Sequence, residues 1–109
     1  MDYLTRPINK IEFEKIKNKY PSYVKITADI NKEEMMVGCQ LHADGEKILL
    51  DHGSKQESVW GGGFNFESGE IDCSAVLNLR PGSDNPSMEI LDPQRRNKFI
   101  STVKKIFSL

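Results

Sequence analysis

Three stretches of the chain alternate apolar and polar side chains one residue at a time: YVKITADI (23–30), MMVGCQLH (35–42) and EIDCSAVLNLR (70–80). A period of two is the signature of a strand with one buried face. In the first, Val24, Ile26, Ala28 and Ile30 share a face, and Lys25, Thr27 and Asp29 take the other. In the second, Met35, Val37, Cys39 and Leu41 oppose Met36, Gly38, Gln40 and His42. In the third, Ile71, Cys73, Ala75, Leu77 and Leu79 oppose Asp72, Ser74, Val76, Asn78 and Arg80. SVWGGGFNFE (58–67) reads as a further strand, bulged or kinked at its glycines. KILLD (47–51) reads as a short strand, with a short helix over 46–52 as the alternative. Asp44-Gly45 ahead of it is a hairpin-turn pair, because both residues tolerate positive φ.

Helix signals bracket these strands. Asn9 and Glu12 have the spacing of a capping box. Ile16 and Tyr20 continue an apolar stripe from Phe13, and Pro21 ends the helix. At the other end Asp92-Pro93 starts a helix, followed by the stripe Phe99, Ile100, Val103, Ile106 and Phe107. Connections between strands are short, which makes an antiparallel meander the simplest topology. The expected fold is α+β: about five antiparallel strands in a meander, with the N-terminal and C-terminal helices packed on one face. The 109 residues fit one small domain spanning 1–109.

The formal net charge of −1 gives none of the positive field that holds phosphates, so nucleic acid is not an expected partner. No apolar run approaches a membrane span, and MDYLTRPINK is not a secretory signal. Cys39 and Cys73 are too few for a secreted disulfide framework and read as buried free thiols of a cytoplasmic protein, with a single disulfide between them as the alternative if their strands are neighbours. No cofactor motif is present.

The sheet face opposite the helices would be open. It gathers Thr27, Asp29, Gln40, His42, Ser74, Asn78 and Arg80 from distant parts of the chain. With the loops at 42–45 and 52–57 it makes His42, Asp44, Ser54, Gln56, Asn78 and Arg80 the candidate ligand-binding residues. Arg80, before Pro81, has a guanidinium fork suited to a carboxylate or phosphate. His42, Asp44 and His52 lack the spacing of a metal site. Cys39 and His42 differ by an odd number and fall on opposite strand faces, against a nucleophile–base pair. Trp60-Gly61-Gly62-Gly63 is not followed by the Lys-Ser/Thr of a phosphate loop, and the glycines read as places where something packs closely. The leading expectation is a non-catalytic ligand- or protein-binding domain. The alternative is a small hydrolase-like enzyme centred on His42 and Arg80, acting on a small anionic substrate. A third expectation is self-association through an exposed edge at 58–66.

L-H-A-D at 41–44, L-L-x-x-G-S-K-Q-x-x-x-W-G at 49–61 and L-N-L-R-P at 77–81 occur in this order. The set resembles a family of small bacterial proteins, one of the domains of unknown function. The chain departs from that pattern at Gln40, where an acid is expected, at Val59, where Leu is expected, and in its extra glycines after Trp60. The resemblance implies a compact bacterial or phage-like domain and no particular activity.

Overall fold

A computed structural model describes residues 1–20 and 22–109. Pro21, expected to end the first helix, lies outside the described residues. The elements in chain order are β1 (Asp2–Leu4), α1 (Lys10–Lys19), β2 (Tyr23–Asp29), β3 (Glu34–Val37), α2 (His42–Asp51), β4 (Val59–Asn65), β5 (Ile71–Asp72) and α3 (Pro93–Phe107). The strands form one five-stranded sheet in the order β1-β3-β2-β4-β5. Every pairing is antiparallel, which gives the α+β class expected. The α1 capping box is present, with Asn9 Oδ1 accepting from the Glu12 N–H at 2.9 Å and Glu12 Oε1 accepting from the Asn9 N–H at 3.0 Å. Asp92 caps α3 by accepting from the Arg95 N–H at 2.8 Å. Among the described residues no helix is long and apolar enough to cross a membrane.

Both faces of the sheet are covered. Val24, Ile26, Ala28, Met35, Val37 and Phe64 form one cluster with Ile16 of α1 and Phe99, Val103, Ile106 and Phe107 of α3. The opposite face packs Met36, Val59 and Cys39 against Leu49 of α2. The open face expected from the alternation therefore does not exist. Thr27 and Asp29 are each 1% exposed. Thr27 donates to the His42 carbonyl at 3.2 Å, and Asp29 Oδ1 accepts from the Asn31 and Lys32 N–H groups at 2.9 Å each. Their polarity is spent on turns and on holding α2.

The segment expected to be a hairpin turn plus a strand is α2. Asp44 lies in its first turn, where a carboxylate complements the helix dipole. Gly45 is buried because α2 crosses the sheet there: a Cβ at this position would come 2.7 Å from Thr27 Oγ1 and 3.3 Å from Met36 Cβ. The Asp-Gly pair is thus a helix start followed by a close-approach glycine. Gly38, at φ +87°, redirects the chain after β3. The turn moves Cys39 to the α2 side, away from the face of Met35 and Val37 that the alternation assigned to it. Cys39 and Cys73 are both free and buried, on opposite faces of the sheet.

The clearest expected strand, 70–80, pairs with β4 only through Ile71 and Asp72. Beyond it the chain turns to the 85–90 segment: Ile90 N–H donates to Cys73 O at 3.1 Å and Ala75 N–H to Met88 O at 3.0 Å. Arg80 and Asn85 exchange backbone bonds at 2.8 and 3.1 Å. β4 holds unbroken register with β2 from Tyr23↔Asn65 to Asp29↔Val59, so the glycines carry no bulge. They admit neighbours instead. A Cβ on Gly61 would strike Ala75 and His42, one on Gly62 would strike Phe99, and one on Gly63 would strike the Tyr23 ring. β4 lies between β2 and β5, so 58–66 is not the free edge expected for self-association.

Candidate functional site

His42 opens α2, and its ring lies over Gly61. Nε2 sits 2.7 Å from the Gly62 carbonyl oxygen. A carbonyl only accepts, so Nε2 carries the proton and Nδ1 keeps its lone pair. Nδ1 has no partner among the described residues. Burial pushes the imidazole below its ordinary pKa, and nearby Lys25 adds to this. The Gly62 hydrogen bond, a larger influence than Lys25, and Asp72 push the other way without overcoming burial. Near neutral pH the ring is an uncharged acceptor of fixed tautomer.

The ring lines a groove of about 390 Å³ with Lys25, Leu41, Ala43, Val76 and Leu77. The walls are mainly hydrocarbon. Leu41 is 59% exposed and Val76 73%, although both are large aliphatic side chains. Lys25 Nζ donates to the Gln40 carbonyl at 2.7 Å at the rim.

A second, more open cleft of about 540 Å³ is lined by Lys55, Gln56, Glu57 and Arg80. Here Arg80 is already committed. Its Nε donates to Leu77 O at 3.1 Å, Nη1 to Gln56 O at 2.8 Å and Nη2 to Val59 O. Glu46 lies 3.8 Å from Nη2. The guanidinium also rests 4.2 Å over the Trp60 ring, which Arg95 approaches to 4.3 Å. Trp60 itself is buried, and its indole N–H donates to Glu57 O at 3.0 Å. Arg80 is a brace across the outer side of β4.

The other candidates scatter. Asn78 is fully buried, with Oδ1 accepting from Gly61 N–H and Nδ2 donating to the carbonyls of Gly61, Cys73 and Met88. Ser54 is buried, and its Oγ has no partner among the described residues. Asp44 points outward from the first turn of α2 and lines neither cleft. The Gln56 side chain is exposed. Of the six expected residues, His42 alone lines the apolar groove, and Gln56 and Arg80 share the charged cleft. His42 and His52 stand at the two ends of α2, about 15 Å apart along its axis, too far to share one ion. Among the described residues no group of three or more His, Cys, Asp or Glu is placed to hold a metal. Burial raises both thiols, Cys73 to about 11, which keeps them protonated near neutral pH.

Sequence reasoning missed Lys25, Leu41 and Val76 as partners of His42. One signal was available: Val76 is the single aliphatic residue on the polar register of 70–80.

Residues 2–106 match the model of a family described as a protein of unknown function (DUF5674). The match covers nearly the whole chain, and the chain belongs to that family. No curated protein and no solved structure matches it.

Proposed function

We propose that this member of the family is a non-catalytic ligand-binding domain whose site is the apolar groove at the start of α2. One observation carries the reading. The His42 ring, fixed by the Gly62 carbonyl and with Nδ1 unpartnered among the described residues, lines a recess whose other walls are mainly aliphatic. An apolar recess with a few fixed polar groups and a perturbed titratable residue is the usual form of a small-molecule site. The hydrolase alternative finds less support, because His42 and Arg80 line different clefts and the Arg80 fork is occupied by backbone carbonyls. We read the chain as one domain, since α1 and α3 share a single apolar cluster with the sheet. Two buried free thiols favour a cytoplasmic setting, and a bacterial source is what the resemblance of the motifs implies.

The test is an NMR screen of small aliphatic and amphipathic fragments against the full chain. Binders are expected to shift the resonances of Leu41, Ala43, Val76 and Leu77. Val76→Asp should abolish those shifts without unfolding the protein, because Val76 is largely exposed. Hits confined to the Lys55–Glu57 cleft, or no hits at all, count against the reading.

A further inference from the structure

Resting on that reading, we propose that the groove's ligand is a small aliphatic carboxylate with a hydrogen-bond donor beside the carboxyl group. Its chain lies on Leu41, Ala43, Val76 and Leu77, its donor meets His42 Nδ1, and its carboxylate meets Lys25 Nζ.

Charge is the first argument. Among the described residues Lys25 is the only charged side chain lining the groove, and no acid lines it. Lys25 forms no ion pair among the described residues, and an ammonium has three donors. One is spent on the Gln40 carbonyl, which fixes the head at the rim and leaves two for an anion. A cationic ligand would be repelled there, and a neutral acceptor would gain less from the ammonium than a carboxylate does.

Hydrogen bonding supplies the second argument. With Nε2–H committed to Gly62, the groove offers an acceptor at His42 and a cation at Lys25. The complementary molecule carries a donor and an anion on one face. Lys25 also helps to hold the imidazole uncharged, which keeps Nδ1 an acceptor.

The walls give the third. Apart from His42 and Lys25 they are Leu, Ala and Val side chains, with no Phe, Tyr or Trp among the described lining residues, and about 390 Å³ is near the small end of ligand sites. That suits a short branched chain.

N-acetyl-L-leucine has all three features and is the probe. Its comparators are N-acetyl-L-leucinamide, which lacks the carboxylate, and 4-methylpentanoate, which lacks the donor. Titrations of the full chain are followed by NMR. The expected result is that N-acetyl-L-leucine shifts Leu41, His42, Ala43 and Val76, and that each comparator binds about tenfold more weakly. Lys25→Met should lower affinity for the acid to that for the amide and leave the amide unchanged. His42→Gln retains an N–H near the Nε2 position and removes the Nδ1 lone pair. It should lower affinity for N-acetyl-L-leucine and leave 4-methylpentanoate unchanged. An amide that shifts the groove residues as strongly as the acid overturns the carboxylate assignment while the groove reading stands. If none of the three binds at the groove, this inference is overturned, and the fragment screen decides separately whether the groove binds anything.

Discussion

Asn78 holds both polar groups of the Gly61 backbone: its Oδ1 accepts from the Gly61 N–H and its Nδ2 donates to the Gly61 carbonyl, each at 2.8 Å. One side chain thus completes the ladder where β5 has stopped. Buried backbone groups left without partners would otherwise cost the sheet its outer edge.

Replacing Asn78 tests that role. Asn78→Ala orphans the Gly61 N–H and carbonyl and strips one donor each from the Cys73 and Met88 carbonyls, which keep their backbone partners; at this fully buried site it should destabilise the fold by about 3 kcal/mol in urea denaturation. Asn78→Asp is nearly isosteric, yet it turns an acceptor toward three carbonyl oxygens and should be at least as damaging. A loss below about 1 kcal/mol in both variants would show that the side chain does not complete the ladder.

Gly45 and Gly82 should respond to alanine with opposite signs. In an ordinary helix interior Gly→Ala gains about 1 kcal/mol. At Gly45 the new methyl would lie 2.7 Å from Thr27 Oγ1, so α2 must move off the sheet. A net loss of about 1–3 kcal/mol is expected. Gly82 has no atom within 4 Å of the added methyl and no left-handed backbone. There the substitution should stabilise by about 0.5 kcal/mol through the unfolded chain. Thermal denaturation of the two variants reads both signs, and a stabilised Gly45→Ala would contradict the close approach of α2.

These two glycine contexts also show what a single sequence can reveal. Helix ends were legible because capping is local: Asn9, Glu12 and Asp92 act within a few residues of themselves. The alternation in β2 correctly assigned Val24, Ile26 and Ala28 to the core. It misassigned Thr27, because nothing local says whether a second helix will cover the polar face. Asp44-Gly45 misled for the same reason, since the demand for a missing Cβ comes from Thr27 and Met36, far away in the chain. Asn78 fitted a polar register and proved fully buried, because its partners are backbone groups that no side-chain pattern records. The candidate site was legible only at His42. Its groove is assembled from β2, α2 and the turn at 76–78, which come together only in the fold.

Arg80 and Arg95 both lie against the Trp60 ring, but they should differ in weight. Arg80 also serves the carbonyls of Gln56, Leu77 and Val59. Lysine cannot reproduce that fork, and Arg80→Lys should cost about 2 kcal/mol. Arg95→Ala removes a cation–π contact alone and should cost no more than about 1 kcal/mol. Chemical denaturation of the two variants makes the comparison. Equal losses would mean that the shared contact with Trp60, and not the carbonyl brace, is what Arg80 contributes.

Acid should weaken this protein through His42 before the carboxylates titrate. Burial holds the folded imidazole below its ordinary value of 6.5, with Lys25 acting in the same direction and Gly62 and Asp72 opposing. Between the folded pKa and 6.5 the unfolded chain binds a proton that the folded chain refuses, so stability rises with pH across that window. The contribution is complete above 6.5 and is lost as pH falls through the folded value. Melting the protein at pH 7.5 and 5.5 should therefore show a larger loss for the wild type than for His42→Gln, which has no proton to take up. Measuring above about pH 5 keeps most carboxylates ionised in both states. The same protonation converts Nδ1 from acceptor to donor, so affinity for N-acetyl-L-leucine should fall over the same window. Equal pH sensitivity in the two proteins, or an imidazole that titrates above 6.5 by NMR, would show that the ring is not held neutral by its burial over Gly61.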